Sequence, residues 1–252
     1  MKGKVPEMMC SGIANGGHVE RTRRWNLIEA LGLITVLATL MPAQQAPLVM
    51  TKEAQASITP QKALDILKEG NARFVEGRML HRDYTRKIRL TSEGQYPFAV
   101  VLGCLDSRQA SEILFDQGIG DLFIARVAGN VLNDDILGSL EFATKVAGAK
   151  LIAVVAHTNC GAVKGAVDGV ELDHLTGLLE KIKPAIKASN PSGEKRTSKD
   201  LAFVDSVAAE NARLVAADIR ERSKILRELI DAGNLKVVSG MYDISTGKVA
   251  FH

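Results

Sequence analysis

Five residues in two short segments are of types that can do chemistry together. Cys104, Asp106 and Arg108 form the first segment; His157 and Cys160, in the run His157-Thr158-Asn159-Cys160, begin 53 residues after the first cysteine. Two cysteines and one histidine are soft or borderline ligands, which suits Zn²⁺. Three protein ligands leave a fourth position free, and a free position separates a catalytic zinc from a structural one. Asp106 would accept a hydrogen bond from a water held there, and Arg108 would grip Asp106 and keep it ionised. The pattern points to an activated water, and so to hydration or hydrolysis. Two plainer readings stand beside it. Cys104 and Cys160 could be buried core thiols, or partners in a reversible disulfide. Neither explains the histidine three residues before Cys160, nor the charged pair after Cys104. On its own, Asp106–Arg108 could be a loop salt bridge of little worth.

These residues need a scaffold that brings position 104 to position 157. Phe98–Gly103 and Lys150–Ala156 are continuous apolar runs, the mark of strands buried on both faces. Asp121–Val127 and Lys236–Tyr242 read as two more strands. Ser245-Thr246-Gly247 turns the chain into a short last strand, Lys248–Phe251. Thr59 caps a helix with Pro60 at its first position, and Ala63, Leu64, Ile66, Leu67 and Phe74 give it an apolar stripe to about residue 77. Further helices are expected over 134–147, 161–168, 172–188, 201–220 and 223–232, the last stopped by Gly233-Asn234. Segment 78–96 is polar and basic, and segment 189–199 reads as a polar loop. Alternating strands and helices imply an α/β fold: a mostly parallel four-stranded sheet with a short C-terminal edge strand, flanked by helices. Cys104 and His157 then sit just past the carboxyl ends of their strands, where open parallel sheets carry their sites. Cys160 falls at a helix start, which favours a thiolate.

The chain has 252 residues and a formal net charge of +3. Most of that excess lies in the first 46 residues, where Lys2, Lys4, Arg21, Arg23 and Arg24 outnumber Glu7, Glu20 and Glu29. No basic face stands out, which argues against a nucleic-acid partner. Three cysteines are too few for a disulfide scaffold in a chain of this length. Residues 1–46 read as a leader. Arg21, Arg23 and Arg24 precede the uncharged apolar run Ala30–Met41, and small residues follow up to Ala46, the expected cleavage point. The run is too short for a membrane span. Thr22-Arg23-Arg24-Trp25-Asn26-Leu27 partly resembles a twin-arginine signal. Residues 47–252 are expected to be one catalytic domain, exported and periplasmic, or cytoplasmic if the leader does not function. His174 reads as a surface histidine, His81 lies in a basic segment with no second ligand nearby, and Glu112 and Asp116 read as residues that cap or pair locally.

Cys104-Leu-Asp106-Ser-Arg108 with His157-x-x-Cys160-Gly161 resembles the β-class carbonic anhydrases. The likeness extends over about residues 59–251: Leu67-Lys-Glu-Gly70-Asn71-Ala-Arg73-Phe74, Phe115-Asp-Gln-Gly118, Gly120-Asp121-Leu122-Phe123, Gly129-Asn130, Ser139-Leu140-Glu141-Phe142-Ala143, and Gly240-Met-Tyr242-Asp243 with Thr246-Gly247. The resemblance implies zinc on Cys104, His157 and Cys160, with Asp106 and Arg108 as the activating pair. It also implies reversible hydration of CO2 to bicarbonate and a proton through a zinc-bound hydroxide. Gln95 matches a substrate-binding glutamine, and Phe123 and Ala128 match residues that line the apolar CO2 pocket from the partner subunit. Gln95, and Val101 where bicarbonate-inhibited members carry Trp, imply the open, unregulated subtype. Leu105 stands where the family usually has a small residue, which implies a narrower site or a slower turnover. The family implies a homodimer or a dimer of dimers. Two alternatives remain: hydrolysis of CS2 or COS on the same fold, and a non-catalytic zinc or redox protein.

Overall fold

The apolar runs at 98–103 and 150–156 become the two central strands of one sheet. The structure, a computed structural model, describes residues 49–252; the leader reading of residues 1–46 lies outside them. Strands β1 (Ala99–Gly103), β2 (Leu122–Arg126), β3 (Leu151–His157), β4 (Lys236–Tyr242) and β5 (Val249–Phe251) lie in the order β2-β1-β3-β4-β5. The first four run parallel, and β5 pairs antiparallel with β4. This is the expected α/β sheet with its short C-terminal edge strand.

Every residue of β1 and β3 is buried, because packed layers cover both faces of the sheet. Successive side chains point to opposite faces. Val100, Leu102, Ile152 and Val154 enter one core; Ala99, Val101, Leu151, Ala153 and Val155 enter the other. The helices are α1 (Lys52–Ser57), α2 (Pro60–Val75), α3 (Tyr84–Thr91), α4 (Ser111–Leu114), α5 (Asp134–Glu141), α6 (Gly161–Val167), α7 (Asp173–Glu180), α8 (Lys183–Ser189), α9 (Leu201–Arg222) and α10 (Lys224–Asp231). The long α9 supplies Val204, Val207, Ala208 and Val215 to the first core, whereas α2 supplies Ala63, Leu64 and Leu67 to the second.

Among the differences from expectation, three bear on the packing. α3 lies inside the polar, basic segment 78–96, for which no helix was expected. Asp83 caps it, and its one buried residue, Lys87, pairs with Asp121 at the start of β2. Its apolar residues Tyr84, Ile88 and Leu90 face outward, so no stripe marks it. α1 is a single short turn-and-a-half, held by the buried Gln55, whose side-chain amide donates to the carbonyls of Pro97 and Ala147. The helix expected over 172–188 is two helices, because Pro184 has no N–H to continue the first.

The chain leaves β1 for β2 on one side and returns to β3 on the other. The strand order therefore reverses between β1 and β3, and the crevice at their carboxyl ends is where such sheets bind ligands.

Candidate metal centre

Cys104 follows the last residue of β1 and is buried, and His157 is the last residue of β3 and is wholly buried. Between His157 and Cys160 the chain must turn sharply. Asn159 makes the turn at φ 59°, a left-handed conformation that Asn tolerates, and its N–H donates to Asp205 of α9. Cys160 then caps α6, buried beside the first cysteine.

The two sulfurs lie 3.9 Å apart. Two thiolates at about 2.3 Å from a tetrahedral zinc would be about 3.8 Å apart, whereas a disulfide holds its sulfurs near 2.05 Å. The ligand atoms of Cys104, His157 and Cys160 all fall within 4.8 Å of one another. His157 Nδ1 lies 2.9 Å from the Thr158 carbonyl, so that nitrogen carries the proton and Nε2 presents its lone pair. Nε2 is buried and has no hydrogen-bond partner. An orphaned imidazole nitrogen facing two thiols at tetrahedral spacing fits a zinc ion.

Electrostatics point the same way. The hydrogen bond from Cys160 pulls the Cys104 thiol far below its ordinary pKa, and the His157 ring and the Gly129 N–H, 3.3 Å from the sulfur, add to this. The same bond, together with burial, pushes Cys160 upward. Burial works against a charged His157, but the neighbouring Cys104 sulfur and its charge, with the Thr158 carbonyl on the other ring nitrogen, raise its pKa on balance. The cluster is a pocket that stabilises one anionic sulfur.

Asp106 lies at the rim. Arg108 holds both its oxygens, Nε to Oδ1 at 2.8 Å and Nη2 to Oδ2 at 2.7 Å, and the Arg108 N–H also donates to Oδ1. That side-chain bond keeps Asp106 well below the usual carboxylate range, so it is ionised at any neutral pH. Its Oδ2 is 3.8 Å from His157 Nε2. An ionised acceptor thus borders the ligand triangle.

A carbonic anhydrase family model matches residues 99–249, the stretch that carries all five of these residues. The chain is 37% identical over 197 residues to the carbonic anhydrase of Mycolicibacterium smegmatis, which covers 75% of this chain and 92% of the relative. It is 36% identical to carbonic anhydrase 2 of Mycobacterium tuberculosis H37Rv, over 75% of this chain and 91% of the relative. The chain belongs to the carbonic anhydrase family. As a family member it is an enzyme, a lyase. Its fold is that of the β-carbonic anhydrases: it overlays one of two tetrameric β-carbonic anhydrases of Sordaria macrospora with a TM-score of 0.59 at 22% identity, over 66% of this chain and 89% of that one.

Three further candidate residues of this carbonic anhydrase are placed differently from the ligands. Gln95 is exposed and precedes β1, so it lies at the opposite end of the sheet from Cys104. Phe123 sits opposite Val100 on β2, in a groove of about 570 Å³ shared with Phe142, and also lies back from the ligands. A single chain does not bring either one to its own centre. Ala128 is next to Gly129, whose N–H reaches Cys104, and so lies beside it. Leu105, between Cys104 and Asp106, is 64% exposed. Asp116 is fully buried in an ion cluster with Arg73 and Arg82; it is an ion-pair partner, but with residues distant in sequence rather than local ones.

Several supporting residues carry no sequence signature. Arg126 donates to the carbonyls of Cys104, Leu105 and Asp106 and so shapes the loop. Asn211, buried on α9, donates to the Gly129 carbonyl at 2.8 Å and fixes the turn that faces Cys104. Gln109, also buried, bonds to Cys104 N–H and to the Val155 carbonyl. Arg126 and Gln109 act on backbone atoms of the site, which leave no trace in residue types.

Proposed function

We propose that this chain reversibly hydrates CO2 to bicarbonate and a proton at a zinc ion held by Cys104, His157 and Cys160. The observation that carries the reading is the convergence of three unlike ligands within 4.8 Å, bordered by a carboxylate that Arg108 keeps ionised. Zinc bound there would supply a water acidic enough to ionise near neutral pH. Asp106, permanently an acceptor, takes a hydrogen bond from the reacting water and so orients its lone pair toward the carbon of CO2. Arg108 fixes the direction of Asp106 by three bonds and prevents it from donating. The buried Cys104 and Cys160 face apolar packing, which excludes competing solvent from their side of the crevice. The proton passes to buffer.

Gln95, Phe123 and Ala128 bind the substrate in this reading, with Gln95 and Phe123 reaching the centre of a second copy. The assembly is a homodimer or a dimer of dimers. Its support is physical: β2 is an edge strand, half-buried along its length, and Phe142 and Val146 nearby are more than half exposed. Residues 1–46 act as a cleaved leader that directs residues 47–252 to the periplasm. Among the described residues no helix is long and apolar enough to cross a membrane.

The test is stopped-flow CO2 hydration by the purified chain, with metal content measured on the same sample. Fast hydration with about one zinc per chain is the expected result. Zinc without CO2 hydration moves the reading to CS2 or COS hydrolysis, and absence of zinc in freshly purified protein sinks it.

A further inference from the structure

A parallel ladder joins every second residue of one strand to the two residues flanking its partner; Gly103 turns its carbonyl to Val127 beyond β2, so Leu102 and Cys104 face β3. Leu102 lies opposite Val154 and Gly103 opposite Val155. Continued by one step, the ladder would join the Cys104 N–H to the Val155 carbonyl. Gln109 stands between them instead. Its Oε1 accepts from the Cys104 N–H at 3.0 Å, and its Nε2 donates to the Val155 carbonyl at 2.9 Å. A direct rung would hold those two backbone atoms about 2.9 Å apart; the inserted carboxamide holds them apart by its own width and a second hydrogen bond. The strands therefore splay at the point where one carries Cys104 and the other, two residues on, carries His157.

The insertion is built rather than incidental. Gln109 is 1% exposed, and both ends of its amide are bonded. A Cβ on Gly103 would come within 3.1 Å of Gln109 Nε2, so the glycine leaves room for the amide. The Gln109 N–H also closes the turn onto the Asp106 carbonyl at 3.0 Å. One residue thus ties the end of β1, the end of β3 and the loop that carries Asp106 and Arg108. An apolar side chain would fill the same space without the cost of burying an amide, which leaves geometry as the reason for glutamine.

We propose that Gln109 is a positioning residue that sets the spacing of the two ligand-bearing strand ends, and through it the metal affinity and geometry of the site. The inference rests on the zinc reading of Cys104, His157 and Cys160. Three quantities test it in the full chain: zinc affinity by chelator competition, the visible spectrum of the cobalt-substituted protein, and the melting temperature with and without metal. Gln109→Met removes both bonds at similar volume. It is expected to weaken zinc binding about 10- to 100-fold and to shift the cobalt bands. Gln109→Glu keeps an acceptor for the Cys104 N–H but has no donor for Val155, and is expected to fall between. Should the Met variant fail to fold, Gln109→Glu and Gly103→Ala, which crowds the amide, carry the same expectation. Variants that melt lower but keep wild-type zinc affinity and cobalt spectrum overturn the proposal, because a merely structural residue destabilises the metal-free and loaded forms alike. A wild-type chain that binds neither zinc nor cobalt overturns the zinc reading itself, which is a different result.

Discussion

Asp106 receives three hydrogen bonds from one residue, and that arrangement separates its contribution from that of the ligands. Asp106→Asn preserves shape but offers an amide that can donate as well as accept. Zinc content is expected to stay near wild type while hydration falls by about 100-fold or more. Full activity in stopped-flow would remove Asp106 from the mechanism. Cys160→Ser has the opposite signature: loss of metal and a lower melting temperature together, since binding energy at such sites is folding energy. Zinc retained at full occupancy in that variant would strike Cys160 from the ligand set. These five residues were legible because their types are rare in combination and their spacing is short within each segment. Gln109, Arg126 and Asn211 were not, because each acts on a backbone atom of a residue whose neighbourhood only the fold creates.

At the scale of elements, the strands and most helices were legible, but α1 and α3 were not. β1 and β3 are apolar throughout because both faces are covered, so a plain run of Val, Leu and Ala announced them. α3 buries only Lys87, through an ion pair with Asp121, and no periodicity reports an ion pair. How elements dock was equally hidden, and Gly70 shows why. It sits in α2, where sequence reading sees only a weak helix former, yet a Cβ there would lie 1.8 Å from the Phe115 carbonyl oxygen, which is backbone and cannot swing aside. Gly70→Ala is expected to destabilise the chain by more than about 2 kcal/mol in urea unfolding. Gly177 in α7 is the internal contrast. A Cβ there meets nothing within 4 Å, so Gly177→Ala should stabilise by about 0.5–1 kcal/mol through helix propensity alone. Equal effects at the two positions would mean that α2 does not dock as the structure has it.

At the scale of the whole molecule, the question is whether one chain makes a complete site. The ligands and the Asp106–Arg108 pair meet within one chain. Gln95 does not join them: it is exposed ahead of β1, and the strand between it and Cys104 spans on the order of 15 Å. If Gln95 serves the centre of a second copy, two defective chains can repair each other. A chain with Gln95→Ala keeps its own ligands and Asp106; a chain with Asp106→Asn keeps Gln95. In a mixed dimer the first chain's centre receives Gln95 from the second and is complete, while the other centre lacks both groups. Co-expressed chains carrying different tags, purified for both tags, should then recover about half of the wild-type rate per dimer, against low activity for either variant by itself. Activity of the mixed dimer no higher than the mean of the two variants would place Gln95 outside a shared site. Gln95→Ala with wild-type activity on its own would remove it from catalysis altogether, and the substrate pocket would then rest on residues of a single chain.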